Sequence, residues 1–437
     1  MVSLPSLAFT VVIPTYNWSA ALACAIQSVL GQTLQDFEII VVGDGCTDDS
    51  ADVVARFNDP RIRWHNLGRN YGSQWMANNW AIENARGTWI AYLGHDDIWY
   101  PTHLEAIRRA ANATQADLVS SVMILYGPPG SGVSGVAGVF ATGAYTARDF
   151  VPPSAFAHKK VLYGDAIKWQ NPDNLELPID AVFFNSLITS GKLWASTQEV
   201  TCFKFNAAWR RDSYKIKSVA EQESFLARIH AGDDFRQREL LDVLQSALAD
   251  RMCRVGMTSP QGLTKGWIVE RNQKFKGTKA RYDAATLPTV TRRTRFYLDG
   301  QDMPFEWHKL EHRGLFRRTY RWTGPSRRST VDLPVRFDRD LAACIRVRRP
   351  VKPALLDTLI VSVHGQPCPH RIVRRGEKDL DIAVDIRHDA TAAAERDFGI
   401  TLEIAETVRP CDVDPASGDT RAVGLPVYWV ELAPRSP

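Results

Sequence analysis

Two periods of apolar residues alternate along the first part of the chain. AFTVVIPTYN is an apolar, β-branched run halted by Pro14, FEIIVVGDG from Phe37 is a second, and ALACAIQSVLGQTL between them repeats its apolar positions at helical spacing. The pattern predicts strand, helix, strand. Asp49 and Ser50 open a helix through about Phe57, RIRWHNL reads as a short strand, and SQWMANNWAIENARG reads as a helix before the apolar run TWIAYLG ends at His95-Asp96-Asp97. Beyond Pro101 come a helix in PTHLEAIRRAANATQ, a strand in DLVSSVMILYG, a hairpin or mobile loop in GPPGSGVSGVAG, and a helix from Asp180 to Thr189. Strands alternating with helices imply an α/β fold built on a parallel, doubly wound sheet.

The texture changes at about Asp234. RQRELLDVLQSALADRMCRV reads as one charged amphipathic helix, followed by a polar connector that reaches about Pro288. From there TRFYLDG, RRTYRW, STVDLPVRF, ACIRVRR, LLDTLIVSVHG, HRIVRR, LDIAVDIR, ITLEIAE and VYWVEL are short alternating segments separated by turn residues, the pattern of an antiparallel β-sandwich. The expected organisation is an α/β domain over residues 1–233, a helical connector over 234–288 and a β-sandwich over 289–437. A chain of 437 residues exceeds what one core serves, which agrees with at least two domains.

Three polar clusters follow directly on apolar runs: Thr15-Tyr16-Asn17, Asp44-Gly45 and Asp96-Asp97. Ligands of open α/β sheets bind outside the carboxyl ends of the strands, so the three are expected to converge on one site. Asp44 can accept an amide proton from a pyrimidine base, or it can simply make a turn with Gly45. Asp96 and Asp97 offer oxygen ligands to a hard cation that would neutralise a leaving diphosphate. Ahead of Pro101 the same pair also suits a helix start, where acids complement the helix dipole. Arg69 is a candidate contact for donor phosphates, or an exposed arginine without that role. Trp169, Trp194 and Trp209 are either sugar-stacking faces or core.

Together these segments resemble the family 2 glycosyltransferases, the GT-A group of mostly inverting enzymes that make polysaccharides and glycolipids. The resemblance covers roughly residues 8 to 210 and rests on VVIPTYN, SVLGQTLQDFEIIVVGDGCTDDS, NLGRNYG, ANNWAIENARG and LGHDDIW, in the family's order and spacing. It implies a Rossmann-like GT-A domain that binds a nucleotide-diphosphate sugar, UDP-linked in most members. The sugar would pass with inversion to a hydroxyl of a glycan or lipid-linked saccharide in polysaccharide biosynthesis. The implied cofactor is a divalent metal, manganese or magnesium.

Carried onto this chain, the resemblance makes Pro14, Thr15 and Tyr16, with the adjacent Asn17, part of the nucleotide pocket and Asp44 the partner of the base. Asp96 and Asp97 would hold metal and donor. The chain departs from the family pattern at three places. Gly94 occupies the first position of the acidic D-x-D, Gly43-Asp44-Gly45 stands where the family has Asp-Asp-Gly, and Ala77-Asn78-Asn79 stands where it tends to have Ala-Arg-Asn. Members often place Glu-Asp at a helix start eleven residues before a glycine; here Asp180 lies 11 residues before Gly191, with Ile179 in the glutamate's place. Asp180 is therefore the expected catalytic base. Asp165, Asp173 and Glu176 are nearby alternatives, and as an N-cap Asp180 would only satisfy helix amides.

Composition adds limits. Hydrophobic residues make up 45% and charged residues 23%, ordinary for a globular protein and unlike a disordered or collagenous one. Seven scattered cysteines without a C-x-x-C pair argue against a disulfide framework or zinc site. No signal peptide or run of about 18 apolar residues is apparent, so the expected location is cytoplasmic, with peripheral contact at the inner face of the membrane as an option. That option rests on residues 292–349, where 15 Arg and Lys face 7 Asp and Glu. A solvated arginine-rich surface, anionic lipid or a lipid-linked diphosphate all fit this excess, and nucleic acid fits it less well. Two other readings of the whole chain are a sugar-nucleotide or glycan-binding protein without turnover, suggested by the acids missing at Gly43 and Gly94, and a nucleotidyltransferase. The second lacks a Gly-rich, basic triphosphate loop.

Overall fold

The structure is a computed structural model. It describes residues 7–129, 131, 133–140, 151–232, 234–248, 265–279, 286–298, 306–308, 310–313, 318–388 and 398–435. The end of the expected charged helix, residues 256–264 and 280–285 of the connector after it, the last two residues of TRFYLDG and the first residue of RRTYRW lie outside these. The chain divides into two compact units, the first comprising Met1–Tyr126, Ser134–Leu244 and Met252–Lys279, the second mainly Ala280–Pro437.

In the first unit the apolar runs become β1 (Leu7–Thr15), β2 (Phe37–Gly43) and β4 (Gly87–Tyr92), with β3 (Ile62–Asn66) at the edge. The connecting helices are α1 (Ser19–Leu30), α2 (Ser50–Arg56) and α3 (Trp75–Glu83). All four strands are parallel. β1 lies between β2, with Phe9 opposite Phe37 and Thr15 opposite Gly43, and β4, with Val12 opposite Tyr92. Both faces of β1 and β2 are covered, which is why they read as continuous apolar runs.

The alternation then lapses and the sheet becomes mixed. β5 (Ile98–Trp99), α4 (His103–Thr114), β6 (Leu118–Tyr126), β7 (Ser134–Ala137) and β8 (Phe156–Lys159) are followed by α5 (Ile179–Thr189) and β9 (Trp194–Lys204). The strand order is β3-β2-β1-β4-β8-β6-β9-β5, with β7 paired to β6 as a hairpin. β8 runs antiparallel to both β4 and β6, while β9 is parallel to β6. Two reversals restore the original direction. The carboxyl end of β9 therefore reaches the same edge of the sheet as those of β1, β2 and β4.

Four more helices complete the unit: α6 (Ser213–Ile216), α7 (Ala220–Ala231), α8 (Phe235–Leu248) and α9 (Trp267–Lys276). Phe225, Phe235 and Val243 anchor α7 and α8 in a core cluster with Ile98, Phe203 and Phe205. Among the described residues, no helix is long and apolar enough to cross a membrane.

The second unit holds two antiparallel sheets. Its strands are β10 (Thr294–Tyr297), β11 (Glu311–Arg313), β12 (Arg318–Trp322), β13 (Arg328–Leu333), β14 (Leu341–Arg348), β15 (Ile360–Val363), β16 (Gln366–Pro367), β17 (His370–Arg375), β18 (Asp379–Ile386), β19 (Phe398–Glu403) and β20 (Pro426–Pro434). One sheet has the order β11-β12-β20-β14-β18-β17 with β10 added to β20; the other is β13-β19-β15-β16. Strict alternation supplies the inner face. Leu341, Ala343, Ile345 and Val347 of β14 share one core with Val361, Val363, Ile400 and Leu402 of the other sheet, the sandwich that period-2 patterning implies.

One buried acid ties the parallel strands together. Glu38 of β2 is fully buried and accepts from Thr10 Oγ1 at 2.8 Å, from the Arg86 amide and Nε at 2.6 and 2.8 Å, and lies 3.0 Å from an Arg63 nitrogen. Burial pushes its pKa up, but the Arg86 amide, the Thr10 hydroxyl and Arg63 outweigh it and hold the carboxyl below its usual range. Its contribution is therefore full above the unfolded pKa of about 4.3 and is lost as pH falls toward the lower folded value. In urea unfolding at pH 7, Glu38→Gln is expected to cost about 2 kcal/mol, and the gap to wild type to narrow on acidification below pH 4. A gap independent of pH would exclude the charged form as the source.

Candidate active site

The carboxyl-end edge of the first sheet opens into a cavity of about 730 Å³. Pro14, Thr15 and Tyr16 line it from the end of β1, Asp44 from β2, His95 and Asp96 from the segment after β4, and Lys204 from β9. Asp180 joins from the first turn of α5, Tyr214 from α6, and Arg271, Gln273 and Lys276 from α9. The structure thus brings together six of the nine expected site residues. Asn17, Arg69 and Asp97 stand behind or beside the cavity, each in a different way.

Asn17 has a left-handed backbone, φ 44°, and works as a tie between strand ends. Its Oδ1 accepts from the amides of Thr47 and Asp48 at 2.7 and 3.2 Å, fixing the loop after β2. The Arg69 guanidinium lies 4.6 Å from the centre of the Tyr71 ring rather than in the cavity. The neighbouring backbone makes Gly45 obligatory: φ is +69°, and a Cβ there would stand 2.4 Å from the carbonyl carbon of Arg69. This close approach presents the Tyr71 amide to Asp44 Oδ1 at 2.9 Å. Burial raises the Asp44 pKa despite the Tyr71, Gly72 and Ser73 amides that favour its charge. Beside it Thr15 Oγ1 is buried without a hydrogen-bond partner among the described residues, a polar atom for which a ligand at this edge would supply the missing partner.

The adjacent acids diverge. Asp97 is fully buried and faces inward, accepting from Ser154 Oγ at 2.5 Å, Lys204 Nζ at 2.8 Å and the Phe205 amide at 3.2 Å. Asp96 lines the cavity, and its carboxylate makes no hydrogen bond to another residue among those described. Burial pushes Asp96 up, but Lys204, His95 and Lys276 outweigh it and hold its pKa below the usual range. Burial likewise works against the Lys204 charge, and Asp97 and Asp96 overcome it and raise its pKa. Among the described residues no three His, Cys, Asp or Glu cluster as a metal cage. A hard cation that keeps water and phosphate oxygens needs only one or two carboxylates, and Asp96 meets that requirement.

His95 is a support. Its Nδ1 is 3.2 Å from the Pro14 carbonyl and its Nε2 3.3 Å from the Tyr214 hydroxyl, and burial lowers its pKa so that the ring is neutral. The Tyr214 ring is 6.3 Å from Tyr16, nearly parallel to it, and Lys276 Nζ lies 5.5 Å from the Tyr214 ring centre. Asp180 is half-buried, and its Oδ1 accepts from the Ala181 amide at 3.0 Å. Burial raises its pKa, the direction a base requires. Asp165, Asp173 and Glu176 are exposed and do not line the cavity. Of the three tryptophans, Trp169 stacks on Phe183 at 4.4 Å and Trp194 donates to Ser120, both in the core, while Trp209 lines the cavity.

The departures from the family pattern have steric causes. A Cβ at Gly43 would fall 2.4 Å from Asn66 Oδ1 and 2.8 Å from the Trp64 ring. Asn66 already bridges the Cys46 amide and carbonyl, so no acid fits there. At Gly94 a Cβ would meet Asp97 Oδ2 at 3.0 Å and Asp96 Oδ1 at 3.2 Å, where a third carboxylate would add repulsion. Asn78 is fully buried, and Asn79 pairs with both backbone groups of Trp169, at 2.8 and 3.1 Å. The α3 position of the family's arginine is thus packed into the interior.

Sequence reasoning missed Lys204, Tyr214 and Lys276. Lys204 had a signal, a single cation ending the apolar strand VTCFK; Lys276 had none, since it sits among other charges on a helix far along the chain. The two lysines differ physically. Lys204 is a strut for a buried acid, whereas Lys276 makes no ion pair among the described residues and burial lowers its pKa. Lys204→Met is expected to cost about 3–5 kcal/mol in urea unfolding, because Asp97 is left buried without its cation. Lys276→Met is expected to stay within about 1 kcal/mol of wild type. Equal losses would contradict this division.

Comparison with known proteins finds similarity in the first part of the chain. Residues 10–134 match the profile of Glycosyl transferase family 2. The succinoglycan biosynthesis protein ExoO of Rhizobium meliloti is 38% identical over 109 residues, 25% of this chain and 31% of that protein. Uncharacterised glycosyltransferases of Nostoc and Rickettsia typhi are 39% and 34% identical over 100 and 96 residues, each 22% of this chain and 31% and 29% of the relative. The chain thus spans less than a third of the length of each of these relatives. Among solved structures, S. aureus TarS residues 1–349 with UDP-GlcNAc aligns at 18% identity and a TM-score of 0.39, over 46% of this chain and 59% of that one.

Proposed function

We propose, from the match of residues 10–134 to the Glycosyl transferase family 2 profile, that the protein is an inverting glycosyltransferase. It moves a sugar from a UDP-sugar to a hydroxyl of a glycan or lipid-linked saccharide in polysaccharide biosynthesis. The observation that carries this reading is the meeting of Asp44, Asp96 and Asp180 in one cavity with Lys204 and Lys276. Three acids and four cations, Arg271 and Lys279 among them, around one cavity suit a ligand with a neutral base, an anionic diphosphate and a sugar.

In this reading the base lies against Pro14, Thr15 and Tyr16, with Asp44 accepting its imide proton and Thr15 Oγ1 acquiring a partner. The diphosphate lies toward Lys276, whose unpaired charge stabilises the departing nucleotide. Asp96 holds a manganese or magnesium ion, which when bound supplies a further counter-charge for that leaving group. Asp97 acts only by holding Lys204 and the loop that carries Asp96. Asp180 takes the proton of the acceptor hydroxyl as its oxygen attacks the anomeric carbon opposite the leaving diphosphate, so one displacement inverts the configuration. Its raised pKa makes it a better base than an exposed aspartate, but one lost at a correspondingly higher pH.

The test is nucleotide release from UDP-, GDP- and dTDP-sugars, with manganese, magnesium or chelator. A UDP-sugar is expected to turn over with metal and to stop with chelator. Asp96→Asn and Asp180→Asn are each expected to lower kcat about 100-fold or more. The wild-type rate should fall on the acid side with an apparent pKa above the usual aspartate value of about 3.9, and that limb should vanish in Asp180→Asn. The steric exclusion of acids at Gly43 and Gly94 favours a second reading, a sugar-nucleotide-binding protein without turnover. UDP-sugar binding without release in the presence of acceptor saccharides would select it.

A further inference from the structure

We propose that the outer face of the seven-stranded sheet in the second unit carries a separate ligand site for an acidic saccharide, a sugar unit bearing a carboxylate or phosphate. The site is a cavity of about 430 Å³ lined by Trp429 together with Arg295, Tyr297, Thr319, Arg346, Asp379 and Tyr428. It rests on nothing assumed about the first unit.

Strand alternation builds it. Phe296, Ile345, Ile382 and Val430 point into the sandwich core. Their neighbours point the other way: Arg295 lies opposite Glu431, Tyr297 opposite Trp429, and Arg346 opposite both Trp429 and Asp381. An outer sheet face needs only polar residues for solubility. This one instead has a concavity without a single aliphatic side chain in its wall.

Its charges are layered. Asp381 and Glu431 lie low, with side chains 6% and 13% exposed, whereas those of Arg295 and Arg375 are 42% and 59% exposed. Each buried carboxylate braces two guanidinium groups, Glu431 those of Arg293 and Arg295 and Asp381 those of Arg346 and Arg375. The acids fix the arginines from beneath, and with Asp379 in the wall the four guanidinium groups outnumber the three carboxylates by one. Arg295 and Arg346 also lie 4.0 and 4.9 Å from the Trp429 ring centre, which orients their planar forks further. Arg295 and Arg346 each give Nε and one terminal nitrogen to Glu431 and Asp381; their remaining N–H groups, beside the exposed ring of Tyr297, suit one ligand class: an acid group for the guanidinium N–H donors, and a sugar's C–H face for the ring. A membrane surface would call for protruding apolar side chains, and the aromatic groups here form the wall of a recess.

The test is calorimetric titration of the full chain with tetragalacturonate, galactose 1-phosphate and neutral cellotetraose, beside sedimentation with phosphatidylglycerol vesicles. At least one of the two acidic saccharides is expected to bind, more weakly as salt is added, and cellotetraose not to bind; which acid binds identifies the group. Arg346→Gln and Tyr297→Ala are each expected to weaken binding about tenfold, and Arg371→Gln, on the same sheet outside the cavity, to leave it unchanged. Tyr297→Ala removes an exposed ring, so it decides the matter if Arg346→Gln fails to fold. The proposal is overturned if neither acid binds, if cellotetraose binds equally, or if both cavity variants bind like wild type. Vesicle binding lost in those variants without saccharide binding would make the face a membrane contact instead.

Discussion

The first unit depends on a carboxylate that never meets the cavity. Asp97 is fully buried, and its ion pair with Lys204 at 2.8 Å joins the segment after β4 to the end of β9. Ser154 and the Phe205 amide complete its shell. Removing two charges from water costs several kcal/mol, and the shell offsets that only in part: burial pushes the Asp97 pKa up to about 6 although Lys204 and the Ser154 hydroxyl favour its charge. Its consequence is directional. With Asp97 turned inward, Asp96 is left facing the cavity, and although it is buried the charge on Lys204 helps to lower its pKa, so that the acid stays ionised. One residue of the pair sets the geometry and the other lines the cavity.

Much of this was legible in the sequence because the strands are short and their ends are chemical. AFTVVIPTYN and FEIIVVGDG each combine an apolar run with an abrupt polar end, and parallel packing carries such ends to one edge. That Asp180 stands at the cavity was legible through its offset from Gly191. Three things were not. The reversal at β8 has no local signature, because FAHK is too short to state its direction, yet it decides where β9 ends. The different fates of Asp96 and Asp97 depend on Ser154 and Lys204, remote residues that no motif links to them. The third is the part of α9, whose Lys276 looks like any lysine on a charged helix until the fold brings it over Tyr214. Asn17, read as a pocket residue, serves instead to hold the loop after β2, a role that its left-handed backbone explains.

The two units use the same device with opposite sign. In the first, a half-buried lysine braces a buried aspartate and an ionised carboxylate is presented to the cavity. In the second, buried acids brace arginines, and cations are presented. Both meet the cost of burying charge by pairing it below the surface, so that the outward group is held in place rather than left on a flexible stem. The arginine excess visible in residues 292–349 is thus partly internal bracing, with Asp381 and Glu431 supplied by strands beyond that stretch.

The central claim is that the edge where β1, β2, β4 and β9 end binds a nucleotide diphosphate. A crystal structure of the full chain grown with UDP and manganese tests it most directly. The account predicts the uracil against Pro14–Tyr16 with Asp44 at its imide, and the diphosphate between Asp96 and Lys276. Nucleotide bound elsewhere on the chain, or a saturating concentration that leaves this edge empty, would contradict it.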